Sequence, residues 1–302
     1  MKKTHYQFSV PLIDVTRNAT DDFNLFHDKF NWNRINNNPF GGAIVLGFQL
    51  LGLVAEQLKE HRLSNNETEL IKNNHLKYSY YQIKFAQIVK PADTVSVEIK
   101  KTLQKSSPKL ILSNRFSLKT ENTLALIGFN KVTSRPLILE NPDFSGFDQN
   151  RITNLPDRSF TQNNEWFIKH KYFMNSNAKN FLVGCQVEQA SYFDEINDKV
   201  EFPEVFPLAL SSCALLERAN KLGHDFEKEP MVYVSQEHNI DKALLKTLRS
   251  NNKMTMIVRK EMDDKNQRLE KFHCYGLLSE NQILFRSILT LAPLSTILDS
   301  NK

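Results

Sequence analysis

The sequence has little cysteine, little excess charge and no long apolar run. Its three cysteines, Cys185, Cys213 and Cys274, are odd in number and far apart. This pattern argues against a disulfide framework and against a zinc knuckle. The net charge is +5, and the excess of basic residues is spread along the chain. No basic block of the kind that marks nucleic-acid binding is present, so we expect no nucleic-acid partner.

The longest apolar run covers residues 43–55 and is interrupted by Gln49. A membrane-spanning helix needs about 20 apolar residues, so this run predicts a buried core helix instead. The opening Met1, Lys2 and Lys3 lead into polar sequence without an apolar segment of the signal-peptide type. We therefore expect a cytoplasmic protein without a membrane span.

The overall composition of the chain is that of a folded protein. The chain has 302 residues, of which 40% are hydrophobic, and 21 of them are phenylalanine. This is enough apolar material for a packed core. The length fits one large domain or two domains of roughly 150 residues each.

The predicted elements of the first half recur in the same order in the second half. Residues 1–40 form a polar, turn-rich lead. Each half then contains a strongly apolar helix followed by four runs rich in β-branched and aromatic residues. The first half has a helix at 41–62 and strands at 76–88, 94–103, 110–120 and 123–132; the second has a helix at 205–222 and strands at 231–235, 254–260, 269–278 and 282–291.

The stretch between the halves is rich in proline, serine and asparagine and predicts a linker. We expect an N-terminal domain at 1–135, a linker at 136–165 and a C-terminal domain at 166–302. The two helix starts can be overlaid with Phe40 opposite Phe202, which places Gly47 opposite Ala209. The alternative is two unrelated α+β domains.

A single buried helix followed by several antiparallel strands predicts an α+β fold in which a curved sheet wraps the helix. One such unit leaves a sheet edge and an apolar helix flank exposed, so two units must pair. A chain with two copies builds this pair internally.

The candidate chemistry lies ahead of the first apolar helix. Asp22 and His27 are five residues apart in irregular chain, and Asn24 can hydrogen-bond the turn between them. A carboxylate can hold or deprotonate a water, and an imidazole can give or take a proton near neutral pH. The free N–H groups at the start of the helix offer an oxyanion site, and Gly47 lets a ligand come close to the backbone.

These residues resemble the motif of the MaoC-like family of (R)-specific enoyl-CoA hydratases and hydroxyacyl dehydratases. That signature is Asp-x-Asn-Pro-x-His-x-Asp, followed by a Phe and by Ile-Ala-His-Gly at the start of the central helix. The matching residues are Asp22, Asn24, His27, Phe40, Ile44 and Gly47. The segment 85–94 further resembles the family's Phe-x-x-Pro-Val-x-Pro-Gly-Asp-Thr.

The sequence also departs from the family pattern. Leu25 stands where the family has proline, and Lys29 stands where it has the second aspartate, although Asp28 is adjacent. Leu46 replaces the histidine before the helix glycine, and Ala92 replaces the glycine of the later turn. These departures leave the pair Asp22 and His27 in place.

The resemblance implies a double hotdog fold and the reversible hydration of trans-2-enoyl thioesters to (R)-3-hydroxyacyl thioesters in fatty-acid metabolism. It implies that Asp22 and His27 are catalytic, that Asn24 and Gly47 contact substrate, and that the Gly47 N–H holds the thioester carbonyl. It also implies substrates carried on coenzyme A or acyl carrier protein, with no metal and no redox cofactor.

The C-terminal half contains no matching Asp and His pair, so we expect it to be a degenerate, non-catalytic partner. Glu165 and His170 have the same spacing but lie too far from their helix, and we regard them as coincidence. The chain would then be a monomer with an internal pseudo-dimer, or a homodimer.

Other readings of the same residues stay open. Asp21 and Asp22 could cap a short helix, and His27 could be an ordinary surface or packed histidine. The fold could also serve as a non-catalytic module that binds acyl thioesters, or as an acyl-CoA thioesterase.

Overall fold

The computed structural model describes residues 5–106, 109–121, 123–142, 149–261 and 269–299. Within these ranges the chain forms a long antiparallel sheet with helices packed against it. The helices are α1 (Val10–Thr20), α2 (Gly47–Ser64), α3 (Glu67–Asn73), α4 (Asn175–Gly184), α5 (Val205–Lys221), α6 (Lys242–Thr247) and α7 (Leu294–Asp299). The strands of the first half are β1 (His5–Gln7), β2 (Tyr78–Phe85), β3 (Thr94–Ile99), β4 (Leu103–Lys105), β5 (Ile111–Thr120) and β6 (Leu124–Thr133). Those of the second half are β7 (Ser159–Phe160), β8 (Phe167–Tyr172), β9 (Phe193–Asp194), β10 (Lys199–Val200), β11 (Met231–Asp241), β12 (Lys253–Lys260), β13 (Glu270–Leu277) and β14 (Ile283–Pro293).

The strand order shows an internal repeat. The 12-stranded sheet runs β1-β3-β5-β6-β2-β11-β14-β13-β12-β8-β7, with β4 paired to β5, while β9 and β10 form a separate hairpin. Outward from the central β2–β11 pair, the strands of one half correspond to those of the other. Each half contributes an antiparallel sheet around its own central helix, α2 or α5. The predicted α+β double hotdog is confirmed, and the two sheets are continuous through β2 and β11.

The core explains why the two halves fold together. Helices α2 and α5 contact each other, and one apolar cluster includes residues of both halves. Leu51 and Val54 of α2 are fully buried, as are Leu208 and Ala214 of α5. Burial on nearly every side is the reason why both helix starts are apolar all round.

The predicted first helix starts later than expected, at Gly47 instead of residue 41. Gly41 has a left-handed backbone with φ of 70°. The N–H of Ile44 then donates to the Phe26 carbonyl, and that of Val45 donates to the Val89 carbonyl. These bonds hold residues 43–46 in a non-helical conformation. The predicted overlay of Gly47 with Ala209 is therefore wrong by one helical turn, since α5 starts at Val205.

Helices α1 and α4 were not expected from the sequence. Helix α1 follows the edge strand β1, and α4 follows β8, which lies next to the opposite edge strand β7. The two helices pack closely together. A Cβ at Gly184 would lie 1.9 Å from Thr16 Oγ1, so glycine is required for this contact. Gln49 of α2 donates to the Gly184 carbonyl over 2.7 Å, which links this pair to the central helix.

Among the described helices, none is both long enough and apolar enough to span a bilayer.

Candidate functional site

The end of α1 sets the position of Asp22. Asp21 has a left-handed backbone with φ of 52°, and the N–H of Asp22 donates to the Arg17 carbonyl over 3.0 Å. This is the hydrogen-bond pattern that ends many helices. Asp21 and Asp22 therefore terminate α1 and do not cap a following helix, so the capping alternative is wrong.

Asn24 organises the turn that leads to His27. The N–H of Asn24 donates to Asp22 Oδ1 over 2.9 Å, and Asn24 Oδ1 accepts from the N–H of Phe26 over 3.1 Å. The side chain of Asn24 thus caps the 3-10 turn Leu25–His27. These short local bonds are typical of aspartate and asparagine, and they fix the spacing between the two candidate catalytic residues.

His27 is anchored at the start of α2. Its Nδ1 lies 2.8 Å from the carbonyl oxygen of Ile44. Because a carbonyl only accepts, Nδ1 carries the hydrogen, and in the neutral ring the lone pair is then on Nε2. His27 is 8% exposed and Asp22 is 6% exposed, so neither is an ordinary surface residue.

The electrostatics of the site favour a neutral imidazole. Burial lowers the pKa of His27, and the positive charge of Arg17 acts in the same direction. The Asp22 carboxylate and the hydrogen bond to Ile44 oppose this shift without cancelling it. At neutral pH, His27 therefore has a basic Nε2 and lies within electrostatic range of the Asp22 carboxylate.

Gly47 is the first residue of α2, and its N–H has no acceptor within the helix. A Cβ at this position would lie 2.8 Å from Cζ of Phe85, so the ring would have to shift to admit a larger residue. The Phe85 ring therefore occupies the space that the missing side chain of Gly47 leaves.

The second half contributes a tyrosine that the sequence did not indicate. Burial raises the pKa of Tyr233, and the Asp22 carboxylate raises it further, which places the two groups within electrostatic range. The Tyr233 hydroxyl lies 3.1 Å from Ser212 Oγ on α5, and its ring packs edge-on against Phe48 of α2. The site is therefore built from both halves.

Arg17 and Asp28 brace the motif. Arg17 donates through Nε to the Asp22 carbonyl over 3.3 Å and through Nη2 to Asp28 Oδ2 over 3.0 Å. Burial opposes ionisation of Asp28, but hydrogen bonds from Asn31 and Phe30 lower its pKa overall. Asp28 therefore forms a structural ion pair with Arg17, and it does so at the position directly before Lys29.

A cleft of about 1070 Å³ opens beside Asp22, between α1 and the second half. We call it the basic cleft, because its lining includes the cations Arg17, Arg158, Lys169, Lys171 and Lys221. Several of these are paired: Lys169 Nζ lies 3.0 Å from Glu217 Oε2, and Lys171 contacts Asp21.

The second half has lost the motif. The N–H of Val187 donates to the Leu182 carbonyl after α4, as that of Asp22 does to Arg17 after α1. A 3-10 turn follows at Gln189–Ser191, in the place of Leu25–His27. Val187 therefore corresponds to Asp22, and Ser191 to His27.

The remaining histidines of interest have other partners. Glu165 pairs with Arg259, while His170 Nε2 bonds to the Leu155 carbonyl, so these two do not form a pair. His238 is fully buried in β11, between Ser287 and Gln236.

Comparison with known proteins supports the fold. No family model and no curated protein matches the sequence. Among solved structures, a MaoC-like dehydratase has 8% identity and a TM-score of 0.60, with 97% of this chain and 96% of that chain covered. A MaoC-like dehydratase from Phytophthora capsici has 9% identity and a TM-score of 0.53, with 96% of each chain covered.

A conserved hypothetical protein from Mycobacterium tuberculosis, described as a double hotdog, has 10% identity and a TM-score of 0.52. The match covers 97% of this chain and 96% of that chain. Because all three identities are so low, the likeness concerns the fold. The chain therefore has the double hotdog fold of these MaoC-like dehydratases.

Proposed function

We propose that the chain is a hydro-lyase that adds water reversibly to trans-2-enoyl thioesters, giving (R)-3-hydroxyacyl thioesters. The observation that carries this proposal is the buried pair of Asp22 and His27. The imidazole donates from Nδ1 to Ile44 and so keeps a basic Nε2, within electrostatic range of the Asp22 carboxylate. This arrangement suits activation of one water molecule in a site that excludes bulk solvent.

In the proposed reaction, Asp22 and His27 share the water and the proton transfers. The water oxygen forms a bond to the β-carbon, one water hydrogen goes to the α-carbon, and the carbon–carbon double bond is consumed. Negative charge develops on the thioester oxygen during the addition. The free N–H of Gly47, at the positive end of α2, would stabilise that charge. Asn24 would keep the pair in register through its bonds to Asp22 and Phe26.

The proposed substrates are thioesters of coenzyme A or acyl carrier protein, as in fatty-acid metabolism. The basic cleft lies beside Asp22, and its lining includes Lys221, which forms no ion pair with a carboxylate of the described residues. Arg17, Arg158, Lys169 and Lys171 are already engaged by Asp28, Glu217 and Asp21. An unpaired lysine at this cleft suits the phosphates that both carriers bear.

We also propose the division into an N-terminal domain at 1–135, a linker at 136–165 and a non-catalytic C-terminal domain at 166–302. The central β2–β11 pair supports two halves. Strand β7 falls inside the proposed linker and pairs with β8. Because the site uses Tyr233 and Ser212, the second half completes it. Either a monomer with an internal pseudo-dimer or a homodimer would contain this complete site.

A non-catalytic acyl-thioester-binding protein is the second candidate function. The departures at Leu25, Lys29 and Leu46 favour it, since they alter the neighbours of the pair without removing it.

One assay separates the candidates. Purified protein is incubated with a short or medium trans-2-enoyl-CoA in the presence of a thiol reagent. Loss of enoyl absorbance without free thiol supports the hydro-lyase. Free thiol indicates a thioesterase, and binding with neither change indicates the binding protein. Either of the last two outcomes would contradict the proposed function.

A further inference from the structure

A separate cavity, lined by residues of both halves, lies at the end of α4, the place that corresponds to the candidate site at the end of α1. It has a volume of about 540 Å³ and is lined in part by Val187 and Val205. Val187 corresponds to Asp22, and Val205 starts α5 as Gly47 starts α2. We call it the counterpart pocket. It shares no lining residue with the basic cleft.

The walls of the counterpart pocket are largely apolar. Phe181 and Leu182 of α4, Phe202 before α5, and Ile71 and Leu76 around the end of α3 contribute to it. A volume in the range of about 300–1,000 Å³ with mostly apolar walls is typical of small-molecule sites. An apolar chain could therefore fill this cavity.

The lining of the pocket carries an excess of positive charge. Its three carboxylates are Glu56, Glu201 and Glu204. Its six cations are Lys59, Arg62, Lys72, Lys77, Lys242 and Lys246. Part of this charge is balanced, since Lys59 pairs with Glu56 and Lys77 pairs with Asp241. Glu204 accepts a hydrogen bond from the Tyr81 hydroxyl.

Arg62 is the most informative of these cations. Its side chain is 8% exposed, and it donates from Nη2 to Asn114 and Asn130. Its Nε has no hydrogen-bond partner among the described residues, and it lies 3.9 Å from Glu67 Oε2. A buried guanidinium with an unused donor is costly unless an acceptor completes it.

Lys242 lies close to this cluster at the start of α6. It is half-buried and within electrostatic range of Glu204 and Arg62. No carboxylate of the described residues forms an ion pair with its ammonium group within 4.0 Å. Burial lowers the pKa of Lys242 to about 8, as expected for an ammonium that lacks a close anion.

We propose that the counterpart pocket binds a medium-chain fatty carboxylate, with the chain between Phe181 and Phe202 and the carboxylate at Lys242 and Arg62. The occupant is held without covalent chemistry. This site is independent of the proposed hydration at Asp22, and each can fail without the other.

The test measures binding of decanoate and of decanol to the full chain by isothermal titration calorimetry. Decanol has the same chain length without the charge. Decanoate is expected to bind with one site per chain, at least about tenfold more tightly than decanol, because a charged hydrogen bond contributes about 1.5–3 kcal/mol. Equal affinity for the two, or no binding of decanoate, would overturn the proposal.

Variants locate the site. Lys242→Met is expected to weaken the binding of decanoate by about tenfold and to leave the binding of decanol unchanged. Lys228→Met, on an exposed lysine outside both cavities, is the matched control and should change neither. Ala55→Phe should fill the pocket and weaken the binding of both ligands.

Asp22→Asn should leave decanoate binding intact. Decanoate affinity that is unchanged in Lys242→Met, or lost in Asp22→Asn, would place the ligand elsewhere and contradict the proposal. Enoyl-CoA hydration by Lys242→Met, measured in parallel, should equal that of the unsubstituted chain, which keeps the two proposals distinguishable.

Discussion

His27 Nδ1 donates a hydrogen bond to the carbonyl oxygen of Ile44 over 2.8 Å. This single bond fixes the ring orientation and the tautomer of His27. Its acceptor, Ile44, lies three residues before the start of α2. It also connects the turn that contains Asp22 to the helix whose first N–H belongs to Gly47.

The pH dependence of kcat/KM should reflect the lowered pKa of His27. Burial lowers this pKa below the ordinary value of 6.5, so the imidazole is neutral above pH 6.5 and becomes protonated only at lower pH. Activity should therefore be constant from pH 7.5 down to about pH 6.5 and should fall below that. An acid limb centred above pH 6.5 would contradict a neutral, buried His27 acting as a base.

Arg17 should be a positioning residue, because it bonds to the Asp22 carbonyl and to Asp28 without facing the reacting atoms in the proposed mechanism. Arg17→Gln should lower kcat/KM roughly tenfold or more by displacing Asp22, with a smaller change in KM than in kcat. Arg17→Lys restores the charge but not the forked geometry, so it should recover only part of the activity.

Arg34→Gln is the matched control, since Arg34 is largely exposed and pairs with Glu227. Equal kcat values for the Arg17 and Arg34 variants would show that the brace does not position the site.

Tyr233→Phe should show that the second half completes the site. The substitution removes the hydroxyl that faces Ser212 and lies near Asp22, while the ring still packs against Phe48. Loss of one buried hydrogen bond costs about 0.5–1.5 kcal/mol, so kcat/KM should fall by about two- to tenfold. Tyr275→Phe removes a hydroxyl that bonds to the Glu140 carbonyl and should leave kcat/KM unchanged. Equal kcat/KM values for the two variants would show that the Tyr233 hydroxyl takes no part in the site.

Gly47→Ala should destabilise the protein despite the good helix propensity of alanine. The new Cβ would meet the Phe85 ring at 2.8 Å, and overpacking of this kind costs about 1–3 kcal/mol. Gly42→Ala is the control, because a Cβ there meets nothing within 4 Å. Urea unfolding should give a lower midpoint for Gly47→Ala alone, at an unchanged m value. A midpoint equal to that of Gly42→Ala would contradict this packing.

Local patterns predicted much of the fold. The sequence located α5 and strands β3, β5 and β6 to within a few residues, because these segments are strongly apolar or alternate in polarity. It missed α1 and α4, whose buried surface is small and depends on their mutual contact at Gly184 and Thr16. That contact joins residues far apart in sequence, so no local pattern reports it.

The same division holds for the candidate site. Asp22, Asn24 and His27 are linked by bonds between near neighbours, and such turns leave a sequence signal. Tyr233 and Ser212 reach the site only because the halves pair through β2 and β11. Their roles depend on tertiary packing, which a single sequence does not display.

The comparison of Asp22→Asn with Asp21→Asn is the sharpest test of the proposed hydration at Asp22. The two aspartates are adjacent, but Asp22 is buried in the site while Asp21 is exposed and pairs with Lys171. The measurement is kcat/KM for hydration of a medium-chain trans-2-enoyl-CoA by both variants, with matching thermal stability. The kcat/KM of Asp22→Asn should fall by about 10²-fold or more, which is the usual contribution of an acid–base residue. The kcat/KM of Asp21→Asn should stay near the value of the unsubstituted chain. Activity that survives Asp22→Asn would contradict the account.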